Sequence, residues 1–203
     1  PKTLGATVAH QRAFGVRYFQ IFNEPNNKDE WGVAARNPQW LARYWVGAAQ
    51  VVLANGGLPG LPPFVTDGSD LTYFRETLNE LKPLGRYDLL HATWISVHNY
   101  GGMNDTGFLR YREYQTIAQD IFGRTLPIMS TEGGLATAEQ TAQIIHAQFD
   151  FMRTQRDEYY FAYCPWLIGN SIGGGKDETW EKQAWCVGAI ENPVCRVRTS
   201  RTK

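Results

Sequence analysis

The chain has 203 residues, 43% of them hydrophobic, which is enough for one sizeable core; its formal net charge is zero, from 20 basic and 20 acidic side chains. That balance argues against a nucleic-acid or membrane-surface protein, which would carry a basic excess, and no apolar run approaches the length of a membrane span. No signal-peptide pattern is visible, but the chain starts at Pro1 rather than Met, so the natural N-terminus is expected to be missing from it.

Residues 5 to 14 read as the end of a helix stopped by Gly15, and a strand is expected over 16–23. A polar loop over 24–37 carries Trp31. Asn37-Pro38 opens a helix, with Asn as N-cap and Pro in the first turn. Leu41, Tyr44, Trp45, Ala48, Val51 and Val52 form its apolar face, and Asn55-Gly56-Gly57 ends it. A short strand is expected at Phe64-Val65-Thr66. Ser69 then caps a helix whose inner face is Leu71, Phe74, Leu78 and Leu81, with Asp67-Gly68 as the turn before it.

His91 to His98 reads as a strand that ends on His98-Asn99-Tyr100. A Gly-rich loop leads to a helix near 111–122, closed by Gly123. Pro127 to Glu132 is the next strand, ending on a carboxylate before Gly133-Gly134. Thr137 and Gln140 make a capping box for a helix to about 154, with Ile145, Phe149 and Met152 inward. Tyr159 to Trp166 is a further strand, followed by a long Gly-rich loop, a helix near 180–189 and a basic tail. Strand and helix thus alternate five times with short links, the pattern of an α/β protein with a parallel sheet. Residues 1–195 read as one domain, and 196–203 as a solvated tail or tether.

Cys164 sits in an apolar run and reads as a buried free thiol. Cys186 and Cys195 flank Asn192-Pro193 and either close a small disulfide loop or stay free. Aromatic residues make up 13% of the chain, which fits a well-packed core as well as a sugar-binding cleft, where flat rings stack on pyranose faces.

Reactive groups in parallel α/β folds gather at the C-terminal ends of strands. By that rule Glu24, His98, Tyr100, Glu132 and Trp166 share one face. Two glutamates at strand ends suit hydrolysis of a glycosidic bond: one acid protonates the leaving oxygen, and one carboxylate attacks the anomeric carbon or activates water. Asp67 has a turn role instead. Asp177 and Glu178 read as solvated loop residues, and His10 and His146 sit on helices without companion ligands. The cysteines lack zinc-site spacing, so neither a metal nor another cofactor is expected.

The motifs Asn23-Glu24-Pro25, His98-Asn99-Tyr100, Thr131-Glu132-Gly133 and Trp166, in that order at strand ends, resemble those of the clan A glycoside hydrolases. The likeness is nearest to the cellulase-like and β-xylosidase-like families. It implies a (β/α)₈ TIM-type barrel, of which this chain supplies about strands 4–8, and retaining hydrolysis of β-linked glycans. By that resemblance Glu24 is the general acid/base, with a pKa raised while Glu132 is ionised, and Glu132 is the nucleophile. Asn23 binds the sugar 2-hydroxyl, Tyr100 orients Glu132 and His98 sits beside them. Trp166 is the sugar platform and Trp31 a second one; for His98, Trp166 and Trp31 a plain core role is the competing reading.

A whole barrel of this type needs about 250 residues, and five strands alone leave two edges. The missing strands are expected from a longer polypeptide, an N-terminal fragment or a second chain. The expected partner is a β-linked glycan, with no nucleic acid and no membrane, and the expected location is secreted or cell-surface. The alternative is a non-catalytic carbohydrate-binding or surface-structural protein on a degenerate barrel.

Overall fold

A computed structural model describes residues 3–34 and 37–166. In chain order the elements are α1 (Leu4–Ala13), β1 (Tyr18–Gln20), α2 (Lys28–Trp31), a 3₁₀ turn (Gly32–Ala34), α3 (Pro38–Ala54), β2 (Leu58–Leu61), α4 (Asp70–Leu81) and α5 (Tyr87–Leu90). There follow β3 (Trp94–Tyr100), a 3₁₀ turn (Phe108–Arg110), α6 (Tyr111–Phe122), β4 (Ile128–Gly134), α7 (Ala138–Thr154) and β5 (Tyr160–Tyr163).

The five strands form one sheet in the order β1-β2-β3-β4-β5. Tyr18 pairs with Leu58 and Gln20 with Gly60 in parallel register, and Gly60 in turn with Trp94. The ladder continues through Ile95 N–H to Pro127 O at 2.8 Å and Ile128 N–H to Tyr159 O at 2.6 Å. Neighbouring strands that follow one another in sequence, run parallel and are linked through helices make the pattern of consecutive β/α units, consistent with part of a TIM-type barrel.

The chain divides into two compact units: Pro1–His98 with Tyr111–Met129 and Tyr159–Phe161, and Asn99–Arg110 with Ser130–Glu158 and Ala162–Lys203. The strands β3, β4 and β5 each run from the first into the second. In the first unit α3 packs on α4, and the buried stripe of α3 is Leu41, Ala42, Trp45, Ala49 and Val52. Phe74, Leu78 and Leu81 of α4 and Ile117 and Ala118 of α6 complete that core. The Tyr114 hydroxyl of α6 donates to the buried Asp70 carboxylate at 2.9 Å, which ties α6 to the start of α4. In the second unit Phe108 packs edge-on against Phe151 and Tyr163, and the Tyr163 hydroxyl donates to Gln148 at 2.8 Å.

Several sequence expectations hold closely. Helix α3 begins with Asn37 accepting from Trp40 N–H at 2.9 Å, and α7 with Thr137 accepting from Gln140 N–H at 3.3 Å. Others need correction. The second strand is Leu58–Leu61, not Phe64-Val65-Thr66. Pro59 and Gly60 disguise it, yet the indole N–H of Trp94 donates to Leu58 O at 3.0 Å and that of Trp45 to Gly60 O at 2.9 Å. Gly60 is required there: a Cβ would come within 2.5 Å of the Trp94 ring.

The loop over 24–37 contains α2 and a 3₁₀ turn. Ser69 makes no capping bond with its side chain; Asp67 instead accepts from both the N–H and the hydroxyl of Ser69, at 2.9 and 2.7 Å. Tyr44 is 57% exposed; Ala42 and Ala49 stand in the buried stripe of α3 instead. Phe149 is 41% exposed, with Ile145, Thr141 and Gln148 taking the buried face of α7. Cys164 is a free thiol but exposed, one residue beyond the end of β5. The helix near 180–189, the Cys186–Cys195 pair and the basic tail lie outside the described residues.

Among the described residues, no helix is long and apolar enough to cross a membrane.

Candidate active site

Strand β1 ends abruptly. Its last ladder bond is Ile21 N–H to Gly60 O at 3.3 Å, and then two non-glycine residues adopt positive φ: Phe22 at 67° and Glu24 at 39°. L-residues avoid that region because Cβ crowds the backbone, so surrounding bonds must hold it. Three successive carbonyls are each held. Phe22 O accepts from Gln20 Nε2 at 3.2 Å, Asn23 O from Trp31 Nε1 at 2.6 Å, and Glu24 O from Asn27 N–H at 2.7 Å. The buried Asn26 carboxamide then clamps the segment after β2, donating to Val65 O at 2.8 Å and accepting from Val65 N–H at 2.9 Å.

This turn aims the Glu24 carboxylate at β3. Its Oε1 lies 2.8 Å from His98 Nδ1, and its Oε2 accepts from Asn27 Nδ2 at 3.1 Å. Asn27 has two duties, because its Oδ1 also caps α2 by accepting from Asp29 N–H at 3.0 Å. The side chain of His98 is 1% exposed and that of Glu24 16%.

Burial, the strongest single influence, pushes the Glu24 carboxyl up. The hydrogen bonds from His98 and Asn27, the His98 charge and a bond with Glu30 together outweigh it and hold the pKa below the ordinary 4.5. This reverses the expectation of a raised value. The His98 imidazole, expected only to sit beside the carboxylates, bonds Glu24 directly and favours its ionised form. With Glu24 ionised, the short contact assigns a hydrogen to Nδ1 of His98.

In the second unit the Tyr100 hydroxyl donates to Glu132 Oε2 at 2.8 Å. The backbone under Glu132 is fixed by Ser130 Oγ, which donates to Glu132 O at 2.7 Å. Gly133 must be glycine, since a Cβ would meet the Tyr163 ring at 2.5 Å. The backbone N–H of Trp166 donates to Gly133 O at 2.6 Å, which sets Trp166 beside the end of β4. Each of the two carboxylates is thus held by a side chain of β3: Glu24 by His98 in the first unit, and Glu132 by Tyr100 in the second.

Asn23 donates through Nδ2 to both Glu30 oxygens, at 3.2 and 3.3 Å, and accepts through Oδ1 from Gln20 Nε2 at 3.2 Å. Trp31 packs edge-on against Phe22 and Trp40, at centroid distances of 5.3 and 5.5 Å. Together with its bond to Asn23 O, that packing makes it a support of the turn. Sequence reasoning missed Gln20, Asn26, Asn27 and Glu30. For Asn27 a signal was present: Asn27-Lys28-Asp29-Glu30 carries a capping amide followed by acids in a first helical turn.

No protein-family model matches the chain, and no curated protein does. Solved structures do. An exo-β-1,3-glucanase of GH128 (subgroup VI) from Aureobasidium namibiae matches with a TM-score of 0.54 at 14% identity, over 83% of this chain and 61% of that one. An endo-β-1,3-glucanase of GH128 (subgroup IV) from Lentinula edodes matches at 0.54 and 18% identity, over 82% and 59%. One of subgroup I from Amycolatopsis mediterranei, in complex with laminaritriose, matches at 0.55 and 17% identity, over 82% and 68%. The chain thus spans about 60% of the length of the first two. At these identities the likeness shows a shared fold alone, and the structures matched are GH128 β-1,3-glucanases, not members of the cellulase-like or β-xylosidase-like families that the sequence motifs resemble.

Proposed function

We propose that this chain carries the two catalytic carboxylates of a retaining β-glycan hydrolase acting on β-1,3-linked glucan. The observation that carries the reading is that two glutamates at strand ends are each held in place, Glu24 by His98 and Glu132 by Tyr100, both at 2.8 Å. The shared fold supports it, as do the β-1,3-glucanase activities and the laminaritriose named for the neighbours. Strands β1 to β5 then correspond to the fourth to eighth strands of the barrel, and the remaining strands come from elsewhere in the polypeptide or from a partner. A secreted or cell-surface setting follows from a polymeric glucan substrate.

In this reading Glu132 attacks the anomeric carbon while Glu24 protonates the departing glycosidic oxygen, giving a glycosyl ester on Glu132. Glu24 then takes a proton from water, which attacks the same carbon and releases Glu132. Tyr100 steadies the attacking carboxylate, Asn23 binds the 2-hydroxyl, and Trp166 supplies an apolar ring for the sugar face.

Glu24 must gain a proton before the first step. Burial already acts upward on it, and a bound sugar that displaces water strengthens that effect. Proton NMR of early laminaritriose hydrolysis by the complete protein tests the reading. It predicts first-formed β-anomers; first-formed α-anomers overturn retention, and an intact trisaccharide overturns the substrate.

A further inference from the structure

The orientation of the Asn23 carboxamide can be deduced from one backbone carbonyl. Phe22 O can only accept, so the Gln20 end facing it, at 3.2 Å, is the NH₂ end. The same Nε2 lies 3.2 Å from Asn23, which must therefore turn its oxygen toward Gln20. That places the NH₂ of Asn23 against the carboxylate of Glu30, which accepts through both oxygens. At the other end the opposite edge of Gln20, its Oε1, accepts from the hydroxyl of the fully buried Ser96 at 2.9 Å. Donor and acceptor thus alternate without conflict along Ser96, Gln20, Asn23 and Glu30, from β3 across β1 to α2.

We infer that Gln20, braced by Ser96, and Glu30 are positioning residues that lock Asn23 with its NH₂ edge presented, so that the group it recognises on a sugar must accept a hydrogen bond. One N–H of Asn23 serves Glu30, and an amide nitrogen has two. The second is the donor that a sugar hydroxyl oxygen would meet. Gln20 also holds the carbonyl of Phe22, whose φ is positive, so one side chain sets both the turn and the amide. This rests on the hydrolase reading only for the identity of the ligand; the lock itself is a property of the chain.

The test uses Gln20→Met, which keeps length and removes both polar ends, with Gln20→Glu as a second variant that puts an acceptor where the donor stood. Hydrolysis is compared on a β-glucoside and on its 2-deoxy analogue. The lock predicts a loss in kcat/KM of roughly 3- to 10-fold for Gln20→Met on the parent glucoside, the size of one or two neutral hydrogen bonds, with little loss on the 2-deoxy analogue. Gln20→Glu should lose more on the parent. Equal losses on both substrates mean general structural damage and overturn the inference.

A second readout needs no activity. In the wild-type protein the side-chain amide protons of Asn23 should give two separated, exchange-protected NMR signals, and Gln20→Met should collapse that protection. Unchanged Asn23 signals overturn the lock. An inactive wild type with an intact lock would count against the hydrolase reading alone.

Discussion

Nδ1 of His98 lies 2.8 Å from Oε1 of Glu24, joining residues 74 apart in sequence. That contact explains why Glu24 is held below the ordinary carboxylate value despite its burial. Removing it in His98→Gln takes away the imidazole that favours the ionised carboxylate, while burial still acts upward, so the Glu24 pKa should rise. If Glu24 is the acid, the basic limb of the kcat/KM–pH profile should move to higher pH. A limb that stays in place argues that Glu24 is not the proton donor.

The same shift is a statement about stability. Glu24 titrates lower in the folded chain than in the unfolded one, so it stabilises the fold above about pH 4.5, and that contribution disappears as pH falls through the folded value. Glu24→Gln lacks it. Denaturation of the two proteins from pH 7 to pH 3 should therefore show a stability difference that shifts in favour of the variant toward acid. A difference independent of pH contradicts the pairing.

Tyr100→Phe removes the hydroxyl that donates to Glu132 at 2.8 Å and little else. A hydrogen bond to a charged group contributes about 1.5–3 kcal/mol. The variant should lose roughly 10- to 100-fold in kcat/KM. Full activity would show that Glu132 needs no such partner.

Gly60→Ala places a methyl 2.5 Å from the Trp94 ring in the middle of the sheet. Overpacking of this kind costs about 1–3 kcal/mol, and urea denaturation should read a loss of that size. Gly47→Ala on α3 is the control, since a Cβ there meets nothing within 4 Å; it should be neutral or slightly stabilising.

What was legible in the sequence was local. Asn37-Pro38 and Thr137 announce their helices through caps, and Glu24, His98, Tyr100 and Glu132 are visible because each stands at or just beyond the end of an apolar run. What escaped depends on distant partners. Strand β2 reads as a loop from Leu58-Pro59-Gly60-Leu61; indoles 15 and 36 residues away hold its carbonyls. Asn26 stands in the expected polar loop, yet it clamps Val65, 39 residues on. The lowered pKa of Glu24 was hidden for the same reason: residue spacing does not reveal that an imidazole meets the carboxylate.

In the proposed reaction Glu132 is the nucleophile and Glu24 the acid/base. The complete protein is incubated with an activated 2-deoxy-2-fluoro glucoside, and the adduct is mapped by peptide mass spectrometry. A single glycosyl ester is expected on Glu132, absent in Glu132→Gln and still formed in Glu24→Gln, because an activated leaving group departs without a proton. An adduct on Glu24, or none on a protein that still cleaves β-1,3-glucan, would show that Glu132 is not the nucleophile.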